Sequence, residues 1–83
     1  MDPKEEIKDW LQRVVCGLSA YPDDVRLEVK TDEMGVLYTL GINKADMGRV
    51  IGKKGATANA VRLLLTCAGM ARNIRASLKI LDI

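Results

Sequence analysis

The sequence predicts a two-layer α+β domain, a three-stranded mixed sheet covered on one face by helices, and three observations carry that prediction. Apolar residues recur at helical spacing near the amino terminus and again from residue 56. They alternate with polar residues in three other segments, as strands with one wet face require. The segments follow the order α-β-β-α-α-β, so three strands need cover and three helices can supply it. A chain of 83 residues has room for one modest core, and residues 1–83 are read as a single domain.

The first helix is announced by its start. Asp2 is a capping residue, Pro3 suits the first helical position, and Glu5 stands three residues on from the cap, as in a capping box. Ile7, Leu11, Val14, Val15 and Leu18 then repeat at spacings of three and four, which predicts an amphipathic helix ending near Gly17. "YPDD" supplies turn chemistry, and Val25, Leu27 and Val29 alternate in "VRLEVK". "TDEMG" makes the next turn, and "VLYTLGI" follows closely enough to pair as an antiparallel hairpin.

A short helix is predicted from Ala45 to Ile51, with Asn43 as its cap, although Gly48 costs it about 1 kcal/mol. After "GKKG", the run "ATANAVRLLLTCAGMA" has helix length, and Asn59, Arg62, Thr66 and Asn73 keep to one narrow polar stripe. Ile74, Ala76, Leu78 and Ile80 alternate in the closing segment, which predicts a third strand. Two helices lead to it, so it is free to run parallel to its neighbour, hence a mixed sheet.

Composition narrows the function. No apolar stretch reaches the roughly 18 residues of a membrane span, and the acidic amino terminus "MDPKEEIKDW" is unlike a secretory signal. A soluble, cytoplasmic protein is expected. With no histidine and only Cys16 and Cys67, which are expected to be buried free thiols, a zinc site has no ligand set and the commonest acid–base residue is missing. No nucleophile and base pair is found, so no catalysis, metal or cofactor is expected. Trp10 and Tyr38 read as partial core, and without phenylalanine the chain lacks an aromatic platform for stacking bases.

The net charge of +2 conceals a division at residue 42. Before it, five basic residues face nine acidic ones; after it, Lys44, Arg49, Lys53, Lys54, Arg62, Arg72, Arg75 and Lys79 face only Asp46 and Asp82. Such segregation suits one surface to a polyanion. Within the basic half, Gly52 and Gly55 bracket two lysines at the junction of two helices. Glycine permits positive φ and bares the main chain, while the following helix aims its first N–H groups and about half a positive charge at the same place. That combination favours phosphate. A nucleotide-triphosphate loop does not fit, because three residues rather than four separate Gly48 from Gly52, Lys54 stands where a hydroxyl is needed, and a helix rather than a strand precedes. The dinucleotide fingerprint fails for want of Gly-x-Gly. Taken alone, "GKKG" also fits an ordinary tight turn with exposed lysines.

"VIGKKG" resembles the signature of the KH domain, whose GXXG loop clamps about four nucleotides of single-stranded nucleic acid. The wider run "DMGRVIGKKGATANAVR" is similar to the small bacterial single-KH proteins of the KhpA family, and chain length and element order agree with it. The resemblance implies a type II KH fold, single-stranded RNA as partner, and a non-catalytic role as post-transcriptional regulator or RNA chaperone. It implies that Gly52, Lys53, Lys54 and Gly55 contact phosphates and that Val50 and Ile51 help line a base groove, with Arg49 and Arg62 as further cations. Where relatives often carry basic residues, this chain has Ala56 and Asn59. The alternative is therefore a protein-interaction adaptor with the KH fold and weak RNA binding.

The long helix carries more apolar surface than a small sheet covers: Val61, Leu64, Leu65 and Ala68 on one face, Leu63, Cys67 and Met70 on a second. Either the first helix buries both or another chain meets one of them. The resemblance implies a homodimer and pairing with a larger KH-containing RNA-binding protein.

Overall fold

Helix α1 (Pro3–Leu18) begins where its sequence marks it. In the computed structural model, which describes residues 2–82, Asp2 Oδ1 accepts the Lys4 N–H at 2.9 Å and Pro3 occupies the first turn, where its missing donor costs nothing. The helix runs through Gly17. It ends at Ser19, whose backbone is extended (ψ 142) and whose hydroxyl donates back to the Val15 carbonyl at 2.8 Å. A serine hydroxyl, and not a left-handed glycine, thus closes this end.

A single 3₁₀ turn at Pro22–Asp24 leads into β1 (Arg26–Asp32), which pairs antiparallel with β2 (Gly35–Ile42). Asp32 lies opposite Gly35, so the connection is only Glu33 and Met34. The hairpin is tighter than the five-residue turn expected, because Asp32 Oδ1 takes the Met34 N–H at 2.7 Å and lets the ladder run two residues further on that strand. A 3₁₀ turn (Lys44–Asp46), α2 (Met47–Ile51), a second such turn (Lys53–Gly55) and α3 (Ala56–Ala71) then cross to β3 (Ala76–Asp82). The last strand pairs parallel with β2 in register Val36 with Ala76 through Ile42 with Asp82. The sheet is mixed, in the order β1-β2-β3.

One face of the sheet meets the helices. Leu27, Val36, Tyr38, Leu40 and Ile42 pack against Ile7, Leu11 and Val15 of α1, Val50 of α2, and Val61 and Leu65 of α3. Ile7, Leu11 and Val15 are four apart, so one stripe of α1 takes nearly all the burial. Tyr38 is fully buried yet keeps a polar tip: its hydroxyl donates to the Lys4 carbonyl at 2.9 Å. Burial, with Glu5 and Asp2 adding to it, holds its phenol above the ordinary value of 10.0. Trp10 packs half-buried against the same core.

Two expectations about burial need correction. Leu64 does not share the buried face of α3; it is 52% exposed, and the face turned inward is Ala58, Val61, Leu65 and Gly69, at spacings of three and four. Nor are the thiols buried. Cys16 is half-buried with its Sγ directed at the Pro22 carbonyl at 3.8 Å, and Cys67 is exposed. The exposure of Leu64 and Cys67 follows from only one face of α3 being covered, which leaves the rest of an apolar helix open.

Candidate nucleic-acid interface

The junction between α2 and α3 is a break and not a bend. Gly52 stops α2 with φ 78 and ψ 174, a conformation that belongs almost entirely to glycine, while its N–H still donates to Gly48 at 2.9 Å. A Cβ at this position would lie 2.3 Å from Thr57 Oγ1 and 2.8 Å from the Thr57 nitrogen. The first turn of α3 therefore folds back onto bare main chain. Gly55, at φ 76 and ψ 11, is left-handed as well, and its N–H closes the turn on the Gly52 carbonyl at 3.2 Å.

Between them Lys54 is also left-handed (φ 55, ψ 29), a state that costs an ordinary residue about 1 kcal/mol or more. Its counterpart at the other end of α3 is Asn73 (φ 57), a residue type suited to that conformation. Lys53 and Lys54 are exposed, and neither is paired with a carboxylate among the described residues. No side chain caps α3 at Gly55, so the positive end of its dipole faces the same space. Bare backbone, two free cations and a helix N-terminus make an anion cradle.

The one acidic residue close to the loop in sequence is withdrawn from it. Asp46 is 0% exposed, accepting the Ala20 N–H at 2.9 Å and the Tyr21 N–H at 3.0 Å, with Arg49 Nε at 3.8 Å. Asn43 adds a second tie, donating to Asp24 at 2.9 Å while its oxygen caps Ala45 at 2.8 Å. These bonds fix α2, and with it the loop, to the chain leaving α1. They also leave the Arg49 guanidinium 64% exposed beside the loop. Sequence reading overlooked Asp46; its signal was a lone carboxylate within the basic run "KADMGR".

Val50 departs from its expected place. It is 1% exposed and packed in the core, on the face of α2 it shares with half-buried Met47 three residues earlier, and Ile51 is its half-buried neighbour toward the loop. Arg62 stands two turns beyond the loop, about 10 Å along α3. It lies on the polar stripe with Asn59, Thr66 and Asn73, all exposed. From there a groove runs between α3 and β3, lined by Arg62, Leu65, Thr66, Ala76, Ser77 and Leu78. Its lining mixes aliphatic residues with Arg62, Thr66 and Ser77, and no aromatic ring lines it.

With this geometry in place, the comparisons are direct. The sequence profile of the KhpA/KhpB KH domain matches residues 8–80. The chain belongs to the KhpA/KhpB KH-domain family. It is similar to the RNA-binding protein KhpA of Leifsonia xyli, at 42% identity over 78% of this chain and 86% of that protein. The same-named proteins of Chlamydia pneumoniae and Bacillus subtilis share 33% and 31% identity over 92% and 94% of this chain and 97% and 96% of theirs. Membership makes RNA the partner class and a binding protein the general role. The KH-domain order α-β-β-α-α-β with a three-stranded mixed sheet is the one observed. Among the described residues no three ligating side chains converge on a metal position, and no helix is long and apolar enough to cross a membrane.

Proposed function

We propose that this chain acts as one non-catalytic KH unit that holds single-stranded RNA by its phosphates at Gly52–Gly55 and receives unstacked bases along the aliphatic α3/β3 groove. The observation that carries the reading is Lys54: a lysine kept in left-handed backbone, exposed and unpaired, where asparagine or glycine would sit with less strain. Strain kept at such a point is explained by a side chain needed there. Arg49 and Arg62 continue the positive track, and the half-buried Ile51 and Leu78 supply apolar contact. In a cytoplasmic setting this is the work of a post-transcriptional regulator or RNA chaperone.

The test is the double variant Lys53→Asp/Lys54→Asp in single-stranded RNA binding across a salt series. Two lost phosphate contacts reduce the salt slope by about 1.4 and the affinity by on the order of a hundredfold, while circular dichroism is unchanged and the melting temperature does not fall. Unchanged RNA binding would remove the loop from the mechanism and favour an adaptor that uses the fold for protein contacts.

A second element of the proposal is self-association through α3, or pairing with a larger KH-containing protein. Leu63 and Leu64 are 64% and 52% exposed on one helix, with exposed Cys67 beside them. An apolar surface of this kind is what partner chains cover, and two coupled loops would gain avidity through effective concentration. Sedimentation equilibrium of Leu63→Glu against the parent checks it, with a drop from dimer to monomer mass expected.

A further inference from the structure

The groove beside α3 does not stop at Ala76. A second hollow, lined by Thr66, Met70, Asn73, Ile74, Arg75 and Ala76, shares Thr66 and Ala76 with the first and continues it to the far end of the helix. Arg75 stands at its limit, exposed and with no ion pair or side-chain hydrogen bond among the described residues. Its backbone is held firmly: the Arg75 carbonyl accepts the Val36 N–H at 2.8 Å, and a Cβ on Gly35 would lie 2.3 Å from that oxygen. Beyond Arg75 the surface changes sign, for the next hollow adds Asp32, whose carboxylate is already engaged by Met34.

We infer that Arg75 is a second phosphate contact, at the opposite end of the α3/β3 groove from the GKKG loop, and that it sets where the bound RNA strand ends on this protein. The inference rests on the proposed RNA-binding reading of the loop. Ile74 and Ala76 lie against Gly69, so about 21 Å of α3 separates Gly55 from the turn that carries Arg75, with Arg62 and the polar stripe between them. A strand laid along this line meets positive charge at both ends and in the middle, and meets the acidic hairpin of Asp32 and Glu33 if it goes further. Charge complementarity names the occupant, a polyanionic single strand, and the repulsive hairpin marks its limit.

Arg75→Ala tests it, with Arg72→Ala as the control of equal charge. Arg72 lies on the other side of α3, where it reaches Glu6 at 4.0 Å and the Ala68 carbonyl at 3.2 Å. Mixed-sequence RNA oligonucleotides of increasing length are titrated by fluorescence anisotropy at several salt concentrations. For long oligonucleotides, Arg75→Ala is expected to bind several-fold more weakly, with the salt slope reduced by about 0.7. Its affinity also stops rising at a shorter length than the parent's. Arg75→Ala behaving like Arg72→Ala overturns the inference, as does a loss equal at every length, which means a disturbed fold. Running Lys53→Asp/Lys54→Asp beside them separates the two readings: if that variant loses binding and Arg75→Ala matches the control, only the second contact is refuted.

Discussion

The hairpin tip at Glu33 and Met34 and the loop at Lys53 and Lys54 are built alike. Each is a two-residue tip beside a glycine of positive φ, Gly35 at 137 and Gly52 at 78, and each glycine lies where a Cβ would come within 2.3 Å of another group. Their charges are opposite: Asp32 and Glu33 at one, two lysines at the other. Their constraints differ too. Gly52 is pressed by Thr57, five residues on, so the loop is a local motif that holds its shape through its own helix. Gly35 is pressed by Arg75, forty residues on in the sequence, so the hairpin is where the sheet's third strand is received. Tight geometry is therefore common to both tips; what distinguishes them is the sign of their charge and the helix that adjoins only the lysine loop.

Substituting the two glycines sharpens the contrast. Gly35→Ala sets a methyl against a backbone carbonyl already fixed in the sheet, and strain plus overpacking cost about 4 kcal/mol. Urea unfolding followed by circular dichroism reads this loss. Gly52→Ala costs about 3 kcal/mol by the same measurement, because part of its obstruction is a threonine side chain that can turn away; it also distorts the GKKG loop, so on the proposed function RNA affinity is expected to fall with stability.

Asp46→Ala removes the tie that holds the loop-bearing helix to the chain after α1. It leaves the Ala20 and Tyr21 N–H groups without their acceptor, for about 2 to 3 kcal/mol on the same assay. Tyr38→Phe is milder, about 1 kcal/mol at neutral pH, since one hydrogen bond to Lys4 is lost. Its pH dependence is more telling. The folded state raises the Tyr38 pKa and so binds its proton more tightly than the unfolded chain does. That contribution to stability is present below about pH 10 and is lost as pH climbs through the raised value. Alkaline titration of stability should therefore fall less steeply in Tyr38→Phe than in the parent.

The smallest effect bears most directly on the comparison. Lys54→Asn relieves left-handed strain and should stabilise the fold by about 0.5 kcal/mol while weakening RNA binding, as measured by melting and anisotropy together. A residue whose replacement improves the fold and harms binding is held for binding.

Much of this was readable in advance, element by element. Periodicity marked α3 as 56–71, the bounds observed, and Asn43 was identified as the cap before α2. The glycines around two lysines marked the loop. Less legible were facts that depend on a partner far along the chain. Nothing near Asp46 in sequence says that its acceptors serve amides 26 and 25 residues earlier. Nothing near Gly35 says that β3 passes against it. Val50 and Ile51 are equivalent in character, and only the short turn of α2 sends one inward. Leu64 and Ala68 both belong to the apolar run of α3, and the line along which α1 crosses it decides which is covered.

By itself the sequence determined the elements, their order, the caps at Asp2 and Asn43 and the glycine-bracketed lysines, because those follow from local backbone preference and the spacing of apolar residues. The tertiary structure alone decided the register of β3 against β2, the burial of Asp46, and the groove that runs from Arg62 to Arg75. These arise where segments distant in sequence compete for one small core, and which side chains win that space depends on how the layers meet.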